Sequence, residues 1–157
     1  MKTRHLVFSS LFVITLFVST GTFQNPVLAE MELSSCDSAI FQAANTIQTG
    51  RDARVTNVLF QGLSEEYNSY PADRPTNVTF LMHGRSTADV LSSNQFMTIL
   101  ATRVISGCGS IGRVTFGEDN SGWSYSFGLV NGQVRRFTCI GPGTLNRPIR
   151  WGERYCD

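Results

Sequence analysis

Cys36, Ile40, Ala43 and Ile47 recur at steps of 4, 3 and 4. That spacing puts them on one face of a helix over 36–49, with Gly50 placed where a helix stops. The period then changes. Arg54–Gln61 reads as a strand, and Gly62–Pro75, with two Pro, two Tyr and adjacent Glu65-Glu66, reads as the longest loop. From Thr76 to His83, Val78, Phe80 and Met82 alternate with Asn77, Thr79 and Leu81, which suits a strand buried mostly on both faces. Ser92 or Ser93 caps a second helix running to about Ser106. Its stripe is Phe96, Met97, Leu100 and Val104, and Ile99 and Ile105 outside that stripe imply burial on more than one side.

The C-terminal half has a different texture, because 10 of the 14 Gly lie between Gly107 and Gly152. Asn131-Gly132 adopts the positive backbone angles of a tight hairpin at little cost. Two-residue closure there pairs Val130 with Gln133 and Phe127 with Arg136. Side-chain parity then collects Trp123, Tyr125, Phe127 and Leu129 with Val134, Thr138 and Ile140 on one face. Ser124, Ser126 and Gly128 share the other with Arg135, Phe137 and Cys139. A preceding strand, Ile111–Gly117, adds Val114 and Phe116 to the aromatic face through a four-residue loop, Glu118–Ser121. Ile149–Tyr155 supplies a fourth strand. The expected fold is α+β: two helices packed on a mostly antiparallel sheet, with a C-terminal three- to four-stranded meander.

The first residues belong to a different object. Lys2, Arg4 and His5 precede a 13-residue apolar run, Leu6 to Val18, and a polar stretch ends in Val27-Leu28-Ala29. This is the order of a secretory signal peptide, and the run is shorter than the about 20 residues of a membrane span. Cleavage after Ala29 is expected, leaving one exported domain, 30–157, periplasmic or extracellular. The cut removes the only Lys, so the domain holds 11 Arg against 12 acidic residues, a charge of −1. Residues 30–100 carry −4 and residues 101–157 carry +3, which makes the C-terminal half the anion-facing one. A lysine-free chain of this charge gives no support to a nucleic-acid partner.

Export changes the meaning of Cys36, Cys108, Cys139 and Cys156, which become two disulfides by default. Leu33-Ser34-Ser35-Cys36 also fits a lipobox, but Glu30 and Glu32 separate it from the apolar run. No close Cys pair exists and His83 is the one histidine of the domain, so neither a zinc site nor any other metal or cofactor is expected. Connectivity stays open among three pairings. Antiparallel helices would bring Cys36 near Cys108, yet the complementary Cys139–Cys156 bridge conflicts with a regular fourth-strand hairpin, where Cys156 lies nearer Gln133.

Candidate chemistry is sparse. Gly107-Cys108-Gly109-Ser110-Ile111-Gly112 satisfies G-x-G-x-x-G but follows a helix and opens a strand, the reverse of a dinucleotide site. Phe80–Gly84 resembles the strand-then-His-Gly segment of α/β-hydrolases, without a G-x-S-x-G elbow. His83 beside Ser86 and Asp89 is a candidate general base, and Glu65/Glu66 with Asp73 or Asp89 are candidate paired carboxylates for glycoside hydrolysis. Asn77-Val78-Thr79 is a glycosylation sequon placed in a strand. Arg136 falls on the aromatic face opposite Phe127, and Arg147, Arg150 and Arg154 interleave with Trp151 and Tyr155. Such a mixture suits a sugar, an acidic glycan or an anionic protein surface.

Cys108, Val114-Thr115-Phe116-Gly117, Trp123, Phe127-Gly128, Cys139, Trp151-Gly152 and Cys156 together resemble a group of small exported cyanobacterial proteins with no assigned activity. The resemblance covers about residues 94–156 and, more loosely, 70–85. It implies an exported, disulfide-bearing domain and carries over no catalytic residue. Two functional expectations follow. One is a non-enzymatic module that binds an envelope glycan or protein through Arg136, Arg150, Trp151, Arg154 and Tyr155. The other is a small hydrolase using His83 or the Glu65/Glu66 loop.

Overall fold

The structure, a computed structural model, describes residues 26–141, 143 and 147–156. Most of the expected leader, residues 1–25, lies outside them, and its last four residues open the first helix. The elements in chain order are α1 (Pro26–Gln48), β1 (Arg54–Gly62), a 3-10 turn (Leu63–Glu65), β2 (Thr76–His83), α2 (Thr87–Ser92), α3 (Asn94–Gly107), β3 (Ile111–Glu118), β4 (Ser124–Val130), β5 (Gln133–Arg136), β6 (Thr138–Ile140) and β7 (Glu153–Tyr155). The fold is α+β as expected, with α2 as a third, short helix whose six residues are too few to show a period.

Five strands form one sheet in the order β1-β2-β3-β4-β5. All neighbours run antiparallel except β2 and β3, which are parallel because α2 and α3 carry the chain back between them. The apolar stripes meet on one side of this sheet. Val78, Phe80 and Met82 of β2, Val114 and Phe116 of β3 and Phe127 of β4 pack with Ala43 and Ile47 of α1 and Met97, Leu100, Ala101, Val104 and Ile105 of α3. Ile105 is buried off the main stripe as expected, whereas Ile99 is 44% exposed, so α3 is covered on two sides and open on a third. Ser93 occupies the position before α3, but its side chain makes no capping hydrogen bond; its carbonyl accepts from Met97 N at 3.1 Å.

The hairpin register is the expected one, Val130 with Gln133 and Phe127 with Arg136. Asn131 and Gly132 both have positive φ, 51° and 77°, the geometry that matches the strand twist. The β3–β4 register keeps the expected parity but slips by two: Gly117 pairs with Ser124 and Phe116 with Tyr125. The loop is therefore longer than four residues, and Glu118 N donates to Trp123 O at 2.9 Å across its base.

The end of the chain departs from expectation. β7 does not extend the meander. It pairs parallel with β6 in a separate two-stranded sheet, Thr138 against Glu153 and Ile140 against Tyr155. That arrangement removes the conflict over connectivity, since a parallel β7 carries Cys156 up beside Ile140, whose carbonyl it bonds at 3.1 Å. Cys139 is bridged to Cys156 (Cα–Cα 5.4 Å), and Cys36 in α1 to Cys108 after α3 (Cα–Cα 4.5 Å).

Nor is the other face of the sheet bare. Leu63, Tyr67, Phe137 and Ile149, joined by Tyr70, Val130 and Trp151, form a second cluster there. Gly128 makes room for it: a side chain at that position would sit 2.5 Å from the Phe137 ring. The sheet is thus sandwiched between helices and an aromatic cover built from the long loop and the C-terminal segment.

Candidate functional site

β5 ends at Arg136, where the chain turns away from β4. The half of β4 that carries Ser124 and Tyr125 is therefore not paired by β5. Two guanidinium groups gather at this place. Arg136 Cζ lies 3.7 Å from the Tyr125 ring centroid, and Arg154 Cζ, brought in by β7, lies 5.9 Å from the same ring. Arg154 also donates to Ser124 Oγ at 3.1 Å. Trp123 packs edge-on against Tyr125 at 6.1 Å. A hydrogen bond from Trp123, and then the charges of Arg136 and Arg154, hold the Tyr125 phenol below the usual tyrosine range against the opposing effect of desolvation.

The neighbouring candidates fall into different roles. Tyr155 is 48% exposed, and Arg150 is exposed. Arg147 is committed to Glu153 through two hydrogen bonds of 2.8 and 2.9 Å, while Arg150 N donates to the same carboxylate at 2.8 Å. These bonds, Arg147 first, hold the Glu153 carboxyl down to about 2. Trp151 points inward. Its Nε1 donates to Leu129 O at 2.8 Å and its ring packs edge-on against Phe137 (5.0 Å) and Tyr67 (5.2 Å). Trp151 therefore anchors the segment on which Arg150, Arg154 and Tyr155 stand.

His83 ends β2 at the rim of an open depression of about 450 Å³ lined with Asp52, Arg54, Gly84, Arg85 and Glu118. Asp52 is taken by Arg85 at 2.6 Å. Among the described residues no hydrogen bond joins His83 to Ser86, Asp89 or any carboxylate. Glu65 and Glu66 do not stand as a pair either, because Glu66 bonds Arg113 at 2.6 Å. Asp73 lies 3.8 Å from Arg74, and Asp89 sits in the first turn of α2. Among the described residues no group of three His, Cys, Asp or Glu side chains could hold a metal ion.

A polar network beneath the aromatic cover is absent from the expectations. Arg113, only 7% exposed, donates to Tyr67 Oη at 2.8 Å and to Asn77 Oδ1 at 3.0 Å, as well as bonding Glu66. Thr115 bonds Asn77 Oδ1 and exchanges a 2.9 Å bond with Ser126. Tyr67 in turn donates to Glu153 O at 2.7 Å, and burial pushes its phenol well above the usual tyrosine value. One signal existed: Asn77, Thr79, Arg113, Thr115 and Ser126 all occupy the parity opposite the apolar stripe.

No protein-family model, curated protein or solved structure matches the chain. Two disulfides and an α+β fold define the class, a small disulfide-stabilised module. Among the described residues no helix is long and apolar enough to cross a membrane.

Proposed function

We propose that this chain is an exported binding module that takes an anionic envelope glycan or protein on Arg136 and Arg154 around Tyr125, flanked by Arg150 and Tyr155. The observation that carries the reading is the pair of guanidiniums over one tyrosine ring. Arg136, held on the face of Tyr125, is pre-oriented to offer its N–H edge to a carboxylate or sulfate, and Arg154 adds a second positive charge beside it. Arg113 and Arg147, unlike Arg136, are neutralised by Glu66 and Glu153. Export is supported by the leader-like order of the first 29 residues and by two disulfides.

The test is binding of the oxidised protein to a carboxylated or sulfated polysaccharide and to a neutral one. Preference for the anionic polymer is expected, weakening as salt rises. Arg136→Gln and Arg154→Gln should each lower affinity about tenfold with the thermal midpoint nearly unchanged. Equal binding of both polymers, or binding indifferent to both substitutions, sinks the proposal.

A second reading, a small hydrolase using His83, draws on the depression beside that residue. It requires ester or glycoside turnover that is lost in His83→Ala and retained in Arg136→Gln.

A further inference from the structure

We propose that the outer edge of β1 is a self-association surface, on which a second copy of this chain adds its own β1 antiparallel about a two-fold axis near Leu59. β1 is nine residues long and stands at the margin of the sheet, hydrogen-bonded to β2 on one side only. Among the described residues no strand pairs with its other side. Edge strands that stay solitary are short, or carry charges, prolines or bulges that repel a second strand. From Val55 to Gly62, β1 has no charged residue and no proline. Its one irregularity, between Val55 and Asn57, lies at its start and leaves Asn57–Gly62 in continuous register.

The side chains along this edge are those of an interface. Phe60 is 58% and Leu59 39% exposed, although both belong to a strand whose Val58 packs against the core. Phe41, 66% exposed, lies on α1, the helix that packs on β1. An axis at Leu59 sets Phe60 against Val58 of the second copy on the helix side of the joined sheet, twice over by symmetry.

Charge selects the copy and the direction. Arg54 opens β1 and exposed Glu65 follows its end. β1 gives way at Gly62 to the 3-10 turn that carries Glu65, and antiparallel pairing about Leu59 brings the Arg54 end of each strand to the Glu65 end of the other, so each cationic start meets an acidic end. Parallel pairing would bring the two Arg54 side chains together. The strand is complementary to itself in one direction only.

Sedimentation equilibrium of the full oxidised chain tests this. A reversible dimer is expected, reduced to monomer by Phe60→Lys, which alters a mostly exposed side chain and leaves the core intact. Arg54→Glu alone and Glu65→Arg alone should each raise the dissociation constant about tenfold, and the double reversal should restore it. A monomer at every concentration overturns the proposal. So does a dimer indifferent to Phe60→Lys, or a double reversal no better than the singles.

Discussion

Arg113 is the clearest case of a single residue on which two layers depend. Its guanidinium satisfies Glu66, Tyr67 and Asn77 together at 7% exposure. Removing it leaves three polar groups short of a partner, one of them a carboxylate. Arg113→Met should therefore cost about 3 kcal/mol or more, read as a lower denaturation midpoint at unchanged slope. Glu66→Gln keeps an oxygen that can accept from Arg113, leaves the Tyr67 and Asn77 bonds in place and lies at a 35% exposed position, so it should cost about 1 kcal/mol or less. Equal losses in the two variants would show that the ion pair with Glu66, and not the bonds to Tyr67 and Asn77, carries the contribution of Arg113. Glu153 makes a pH prediction at the same scale. Its carboxyl is depressed in the folded chain from 4.5 to about 2, by Arg147 first and then by the Arg150 N–H. Depression means the unfolded chain binds the proton more readily. The contribution is thus complete above about pH 4.5 and is lost as pH falls toward about 2. The thermal midpoint should decline through that window, and Glu153→Gln should flatten this part of the decline.

Elements whose ends are set by local chemistry were legible in the sequence. The 3.6 period gave the buried face of α1, and Asn131-Gly132 gave the hairpin to the residue, because a two-residue turn leaves no freedom of register. The β3–β4 loop kept its parity, which burial enforces, but not its length, which burial does not decide. β7 was misplaced for a different reason. Three residues carry too little pattern to choose between extending the meander and pairing with β6, and the choice is made by tertiary contacts such as Tyr67 Oη to Glu153 O. The two disulfides staple elements at very different separations, 72 and 17 residues. In the chain-entropy account the longer loop restricts the unfolded state more, by about 1 kcal/mol. Replacing both Cys36 and Cys108 by Ser should then destabilise the chain by about that much more than replacing both Cys139 and Cys156. Equilibrium unfolding of the two variants checks the order.

At the scale of the molecule, the helix side of the sheet could be anticipated and the aromatic cover could not. Stripes on α1, α3, β2, β3 and β4 all point to the helix side, so each predicts the others. The cover is made by a turn-rich loop and a C-terminal segment with no period of their own; in sequence Tyr67 and Tyr70 read as loop residues, Phe137 as one face of a hairpin strand and Trp151 as a binding residue, and only the folded chain brings the four together. The candidate site divides the same way. Hairpin parity put Arg136 on the face of Tyr125, but only the parallel β7 brings Arg154 to the same ring. Charge asymmetry also resolves into geometry, since the positive half spends Arg113 and Arg147 on internal carboxylates.

The burial of Asn77 has a practical bearing. At 1% exposure, with its amide bonded to Thr79 and its oxygen accepting from Arg113 and Thr115, this asparagine lies under the aromatic cover. A eukaryotic secretory host reads Asn77-Val78-Thr79 on the nascent chain, before β2 has found its neighbours. An oligosaccharide added at that moment would occupy the space that Tyr67 and Arg113 need, and the cover could not close. Material made in such cells would be a mixture of glycosylated, unclosed chains and native ones, so a bacterial periplasm is the compartment in which to produce this protein.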